Sequence, residues 1–201
     1  MKQIRIAAAL ALTAALMAGS AQAQVYTPPF MSPTPTNDFG VYVSDLGDVA
    51  IEGIWRRLSR GGDIGLRAGY ADTEEGALLL GIELRNPVIL AGAPIGLAFT
   101  AGAQGMIGDD PRVGGQVGFV AGQALPTGSF TVTPYIHPRL AIVASPGGGN
   151  DNGLAEDDDE LDLDVRADIG ADFDFASNVS LRFGINLAEG ASFGIGLAWR
   201  R

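Results

Sequence analysis

Residues 160–175, ELDLDVRADIGADFDF, alternate with strict period two. Leu161, Leu163, Val165, Ala167, Ile169, Ala171, Phe173 and Phe175 share one parity, and Asp162, Asp164, Arg166, Asp168, Gly170, Asp172 and Asp174 share the other. An extended chain sends successive side chains to opposite faces, so the stretch is a strand with one oily and one charged side; a helix would mix the two. The same period recurs along the chain. Ile64, Leu66, Ala68 and Tyr70 stand on one parity, as do Leu78, Leu80, Ile82 and Leu84, and Ile95, Leu97, Phe99 and Ala101. Further sets are Val113, Val117, Phe119 and Ala121; Phe130, Val132, Ile136, Leu140 and Ile142; Val179, Leu181, Phe183, Ile185 and Leu187; and Phe193, Ile195, Leu197 and Trp199. With noisier segments at 39–45 and 48–58 this predicts an all-β chain of about ten strands, or eight if 39–58 divides differently. Each is near the length a tilted membrane strand needs.

Alternation fits two opposite wrappings. In a soluble barrel or sandwich the apolar parity points inward; in a membrane barrel it meets lipid and the other parity fills the lumen. The polar parity decides between them, because it is crowded with Gly65, Gly69, Gly81, Gly96, Gly102, Gly114, Gly118, Gly122, Gly184, Gly194 and Gly196. Glycine weakens a strand unless something approaches its backbone closely. A narrow interior supplies that approach and a solvent-facing surface does not. We therefore expect a transmembrane, antiparallel, up-and-down β-barrel with its leucines and phenylalanines on lipid.

Composition supports this wrapping at two points. Lys2 is the sole lysine, so every later base is arginine. Arginine is preferred where a cation must be confined and paired. The formal net charge of −10, more negative once Lys2 and Arg5 are removed with a leader, excludes nucleic acid as a natural partner. That leader is residues 1–23: Lys2 and Arg5, an apolar run from Ile6 to about Met17, and small residues at Ala21-Gln22-Ala23, the pattern of a cleaved secretory peptide. No cysteine is present, which removes disulfides, thiolate metal sites and a lipoprotein anchor. Residues 24–38, QVYTPPFMSPTPTND, are proline-rich and aperiodic, and are expected to form an extended periplasmic tail ahead of a barrel over 39–201.

If the C-terminus is periplasmic, periplasmic turns fall at 59–62, roughly 86–93, 125–128 and 175–178. The outer loops then fall at 45–48, 72–76, 106–112, 144–159 and 188–191, and the longest is outside, as in bacterial barrels. In this frame lipid-parity aromatics form two girdles, Trp55, Phe130, Phe173, Phe175 and Trp199 toward the periplasm and Tyr70 and Phe193 toward the outside, while Phe99, Phe119 and Phe183 fall mid-strand and belong to neither. Acids gather in the outer loops, while Arg56, Arg57, Arg60, Arg85, Arg200 and Arg201 lie at the inner end.

The hairpin DFDFASNVSLRFGINL and the closing strand ASFGIGLAWRR give the chain its resemblance. Over 39–201 it resembles the small outer-membrane β-barrel family of Gram-negative bacteria, the group that includes the membrane domain of OmpA and OmpX. The resemblance implies an outer-membrane location, a cell-envelope role and a terminal aromatic read by the barrel assembly machinery. Here Trp199 is followed by Arg200 and Arg201, a departure from that terminal pattern.

The lumen parity collects a polar network: Arg67, Glu83, His137, Arg139, Asp162, Asp164, Arg166, Asp168, Asp172 and Arg182, with Glu52 on a noisier segment. In a barrel this narrow, paired arginines and carboxylates act as a plug, each charge retained because its partner offsets desolvation. The same acids read as a cation path give the alternative, a narrow pore or small-solute channel. His137, the only histidine, raises a third reading, a lipid hydrolase, but it falls mid-strand in the lumen without a G-x-S-x-G motif. No catalytic residue, cofactor or built metal site is expected. The loop SPGGGNDNGLAEDDDE lacks EF-hand spacing. It is expected to hold Ca²⁺ or Mg²⁺ only loosely, between outer carboxylates and lipopolysaccharide phosphates. The partners are then outer-membrane lipid and lipopolysaccharide, and the role is structural or surface interaction.

Overall fold

The computed structural model describes residues 27–45, 49–108, 111–145, 161–187 and 192–201. The alternating segments form β1 (Asp38–Asp45), β2 (Val49–Ser59), β3 (Gly62–Ala71), β4 (Ala77–Val88), β5 (Gly96–Ile107), β6 (Arg112–Gly122), β7 (Leu125–Pro126), β8 (Phe130–Ala144), β9 (Leu161–Phe175), β10 (Val179–Asn186) and β11 (Ser192–Arg200). Neighbours pair antiparallel around the sheet, β1 closes on β11, and β6 closes on β8. β7 is a two-residue spur on β8, so the wall is a closed barrel of ten strands. The choice of ten over eight is settled by β1 and β2, which pair as separate strands from Asp38↔Arg56 to Asp45↔Val49. Among the described residues there is no helix long and apolar enough to cross a membrane.

Closure removes sheet edges and leaves each strand with one inner and one outer face. The outer face carries exposed Val41, Ile51, Leu66, Leu80, Ile82, Leu140, Ile195 and Leu197. The inner face carries the buried charges. Thus the oily parity points away from the protein.

The turns follow local chemistry. β2 and β3 are joined by Arg60-Gly61, with Gly61 at φ 88, the left-handed geometry that suits glycine in a tight hairpin. Asn178 takes the equivalent role before β10 at φ 61. The turn expected at 86–93 begins later, because Asn86, Pro87 and Val88 still pair with Phe99, Ala98 and Leu97.

β8 tolerates two prolines for a reason of spacing. In an antiparallel pair a residue directs its N–H and C=O toward the same neighbour. The Pro134 carbonyl accepts from Gln123 N at 3.3 Å, and the Pro138 carbonyl approaches Gly118, so both residues face the β6 side. Their missing N–H groups lie on that side too. The β6–β8 register accordingly skips Phe119 and Val120, between Gly118↔Arg139 and Ala121↔Ile136. The β8–β9 ladder runs unbroken through both prolines.

The proline-rich segment differs from its expected place ahead of the barrel. Thr27 through Pro33 are buried, and they run inside the cylinder from the end that holds Asn37 and Arg201. Arg201 N donates to Asn37 O at 2.9 Å. The segment forms no strand, and Phe30 within it stands at φ 48; Thr27 through Pro33 lie inside the barrel and not before it, while Thr34 is exposed. The leader and residues 146–160 of the acidic loop SPGGGNDNGLAEDDDE lie outside the described residues.

Candidate functional site: the barrel interior

Register places inward side chains of neighbouring strands opposite one another, and the charges meet in layers. Nearest the terminal end, Asp63 and Arg85 are cross-strand partners, and both are buried. The Arg85 guanidinium grips the two carboxylate oxygens, with Nε to Oδ1 at 3.2 Å and Nη2 to Oδ2. Beside them Arg182 pairs with Asp38 at 2.5 Å and Asp172 at 3.5 Å, and donates to the Tyr42 hydroxyl at 2.8 Å.

In the middle layer two arginines share two glutamates. Arg67 reaches Glu52 and Glu83, each at 2.6 Å, and Arg56 reaches the other oxygen of Glu83 at 3.1 Å. A planar guanidinium holds two acceptors in fixed directions, which an ammonium cannot. This is the physical use of an interior built without lysine.

On the far side Arg139 Nε lies 2.8 Å from Asp168 and the same guanidinium donates to Gln116. His137 Nδ1 stands 3.4 Å from Asp168, and its Nε2 stands 2.7 Å from Thr100 Oγ1. Thr100, His137 and Asp168 thus stand in the order of a hydroxyl, a base and an orienting acid. All three are buried, with Thr100 only 4% exposed, and Arg139 already engages the acid. The arrangement hydrogen-bonds the histidine within the wall. Arg166 pairs with Asp164 at 2.8 Å, where the Asp164 side chain is 34% exposed. Asp162 is exposed and falls outside the buried network, because β9 outruns its neighbour β10, which pairs only as far as Asp168.

The rest of the predicted network, Arg67, Glu83, His137, Arg139, Arg166, Asp168, Asp172 and Arg182, is buried on the inner face. Arg56 and Arg85, read from sequence as end charges, are buried there as well, together with Asp38 and Asp63. The signal for them was parity: Arg56 is in step with Glu52, and Arg85 with Glu83. Ile54, Leu79 and Met106 also point inward, and Leu79 and Met106 join Ala50, Ala71 and Ala77 in an apolar cluster.

Several outward aromatics stand near the strand ends, while Phe99, Phe119 and Phe183 stand within their strands. Trp55 and Trp199 both pair with Phe39, which stands between them. Phe130 packs on Phe173 and Phe175, with centroids 6.2 and 5.8 Å apart. Tyr70 and Phe193 stand at the opposite strand ends, opposite Leu78 and Asp45.

The N-terminal segment is held by this interior. Thr27 donates to Glu52 at 2.6 Å and accepts from Arg67. Arg56 donates to Pro29 O at 2.8 Å. Arg85 donates to Ser32 O at 2.5 Å and Thr36 Oγ1 at 3.1 Å, and Thr36 N donates to Asp63 at 2.7 Å. Phe30 stacks on Tyr42 with centroids 4.4 Å apart. Its neighbours fit against glycine: a Cβ at Gly184 would come 2.9 Å from Pro28 Cβ, and one at Gly96 would come 3.2 Å from Pro33 Cγ. Beside the segment lies a cleft of about 480 Å³ lined by Ser32, Thr34, Thr36, Thr133, Asp172, Asp174 and Arg200, among others. Among the described residues no group of three or more His, Cys, Asp or Glu is placed to hold a metal ion.

Fold and interior define the class: an all-β, closed, antiparallel ten-stranded barrel with a charged inside and an oily outside. No protein-family model and no curated protein matches the chain.

Proposed function

We propose that this chain is an outer-membrane β-barrel, secreted by its leader, that spans the bilayer with both termini periplasmic and keeps its interior closed. Its role is structural or one of surface interaction, and it is not an enzyme. The closed antiparallel barrel and the resemblance of the closing strand to the small outer-membrane barrels support this reading.

One observation carries this proposal: the apolar residues are outside and the ion pairs inside. Exposed Leu66, Leu80, Ile82, Leu140, Ile195 and Leu197 would cost roughly 25 cal/mol for each Å² of apolar surface held in water. In hydrocarbon that cost vanishes, and a closed ladder satisfies the backbone without solvent. Arg56, Arg67, Arg85 and Arg182, each with a carboxylate partner, then close the cylinder together with Thr27–Pro33. The aromatics near the strand ends, Trp55 and Trp199 at one side and Tyr70 and Phe193 at the other, support two interfaces at those levels. Lipid and lipopolysaccharide are the natural partners of such a wall, the acidic outer loops gather divalent cations loosely, and assembly machinery reads the closing strand.

Cell fractionation with gel electrophoresis tests this. The protein should require detergent for extraction and should migrate differently before and after boiling. In planar bilayers it should conduct little. Recovery in the soluble periplasmic fraction, with no heat-dependent shift, would overturn the proposal.

A further inference from the structure

We propose that the barrel interior is a binding site for a proline-bearing peptide that forms no strand, filled by the chain's own Thr27–Pro33, and that this occupant leaves and returns. The barrel is then a gated passage. This rests on the membrane-spanning reading above and makes its closed interior the resting state of the barrel.

The contacts are those of a bound peptide and not of a strand. Among the described residues, the bond from backbone to backbone that ties this stretch to the wall comes only at Asn37, and the Thr36 N–H goes to the Asp63 side chain. Deeper in, arginine side chains replace the ladder, with Arg56 on Pro29 O, Arg67 on Pro28 O at 3.4 Å and Arg85 on Ser32 O. Proline lacks an N–H, so its segment presents carbonyls to whatever donors surround it. The wall supplies those donors from guanidinium groups.

The wall does not need the peptide to balance its own charge. Arg67 keeps Glu52 and Glu83, Arg56 keeps Glu83, and Arg85 keeps Asp63. When the segment withdraws, water takes the place of carbonyl oxygens and no ion pair breaks. An element of the core would instead leave orphaned charges, at high cost.

Shape points the same way. Gly184 and Gly194 recess the wall for Pro28 and Phe30, and Gly96 and Gly122 recess it for Pro33. On another flank the segment borders the cleft lined by Ser32, Thr34 and Thr36, so the site is wider than its occupant. Phe30 sits at φ 48, a conformation that a bulky side chain adopts only under constraint. Stacking on Tyr42 and the bond to Pro29 O hold it there, and release relaxes it. Strain maintained by surrounding contacts is characteristic of clamps and switches. The exit is the end where Asn37 meets Arg201.

A reversible lock tests this on the full chain. The protein has no native cysteine, so Pro33→Cys with Gly96→Cys gives a single pair. A Cβ at Gly96 would stand 3.4 Å from Pro33 Cβ, close to the roughly 3.5–4.5 Å that a disulfide spans. Potassium chloride current is recorded across planar bilayers for wild type, for each single-cysteine control and for the pair. Wild type and the reduced pair should show intermittent openings, the oxidised pair none, and reduction should restore them. Phe30→Ala, which removes the stack without touching an ion pair, should raise open occupancy roughly tenfold.

Equal silence in wild type, Phe30→Ala and both redox states of the pair overturns the gate and leaves the closed barrel standing. Steady current through the oxidised pair overturns the closed interior itself. Failure of the two cysteines to join shows that the segment does not occupy this recess, and the proposal falls with it.

Discussion

Replacing Arg85 with alanine separates two readings by their magnitude. If Arg85 were one of several basic side chains at a strand end, its ion pair would be worth about 0–1 kcal/mol, as exposed pairs are. In the barrel it is 2% exposed, and its partner Asp63 is 3% exposed. Its guanidinium bonds Asp63, Ser32 O and Thr36 Oγ1. Removing one member of a buried pair costs about 3–5 kcal/mol, because the remaining carboxylate stays desolvated without a counter-charge. Asp63 still accepts from Thr36 N, which places the expected loss near 3 kcal/mol. Urea unfolding of vesicle-inserted protein, followed by the fluorescence of Trp55 and Trp199, measures it. The double variant Asp63→Ala, Arg85→Ala should lose less than the sum of the singles, with a coupling of about 2 kcal/mol, since no orphan charge remains. A loss below about 1 kcal/mol for Arg85→Ala, or simple additivity, would refute the buried layer.

Other consequences concern the wall. Ile82→Arg puts a charge on the outer face midway along β4 and should cost about 2–4 kcal/mol in lipid, read as lost folding yield into vesicles; in a water-exposed wall it would be nearly neutral. Pro138→Ala restores a donor toward the stretch of β6 between Gly118 and Ala121, so the amide introduced at position 138 should exchange slowly with solvent. Stability should change by less than about 1 kcal/mol, because the new hydrogen bond opposes the greater freedom of the unfolded chain. Gly184→Val adds bulk where Pro28 packs and leaves the ion pairs alone. Limited proteolysis should then clip the N-terminal segment readily while the barrel keeps its heat-dependent gel shift.

The strand parities could be read from sequence because period two needs only the strand itself. Leu80, Leu181 and Ile195 on one face and Arg67 and Asp168 on the other follow from alternation alone. The turns at Gly61 and Asn178 also followed, whereas the one expected at 86–93 began later, because Asn86, Pro87 and Val88 still pair with β5. What sequence did not reveal depends on neighbours. Asp63 and Arg85 meet only through the β3–β4 register, and both stand close enough to a turn to pass for end charges. The exposure of Asp162 depends on how far β9 outruns β10. The N-terminal segment was hidden for another reason: proline-rich chains read as tails, because they lack periodicity whether they lie in solvent or in a groove. The glycines at 96, 122, 184 and 194 did signal that something crowds the inner wall, without naming it. The tolerance of Pro134 and Pro138 required knowing which neighbour each faced.

The wall's inversion is tested most directly by its two tryptophans. Trp55 and Trp199 flank Phe39 in adjacent strands and are 42% and 46% exposed on the outer face. Protein refolded into vesicles whose acyl chains carry bromine should lose most of its tryptophan fluorescence relative to unbrominated vesicles, because the bromine atoms lie against both rings. Undiminished fluorescence, with the protein remaining in the aqueous fraction, would mean that the oily face does not meet lipid.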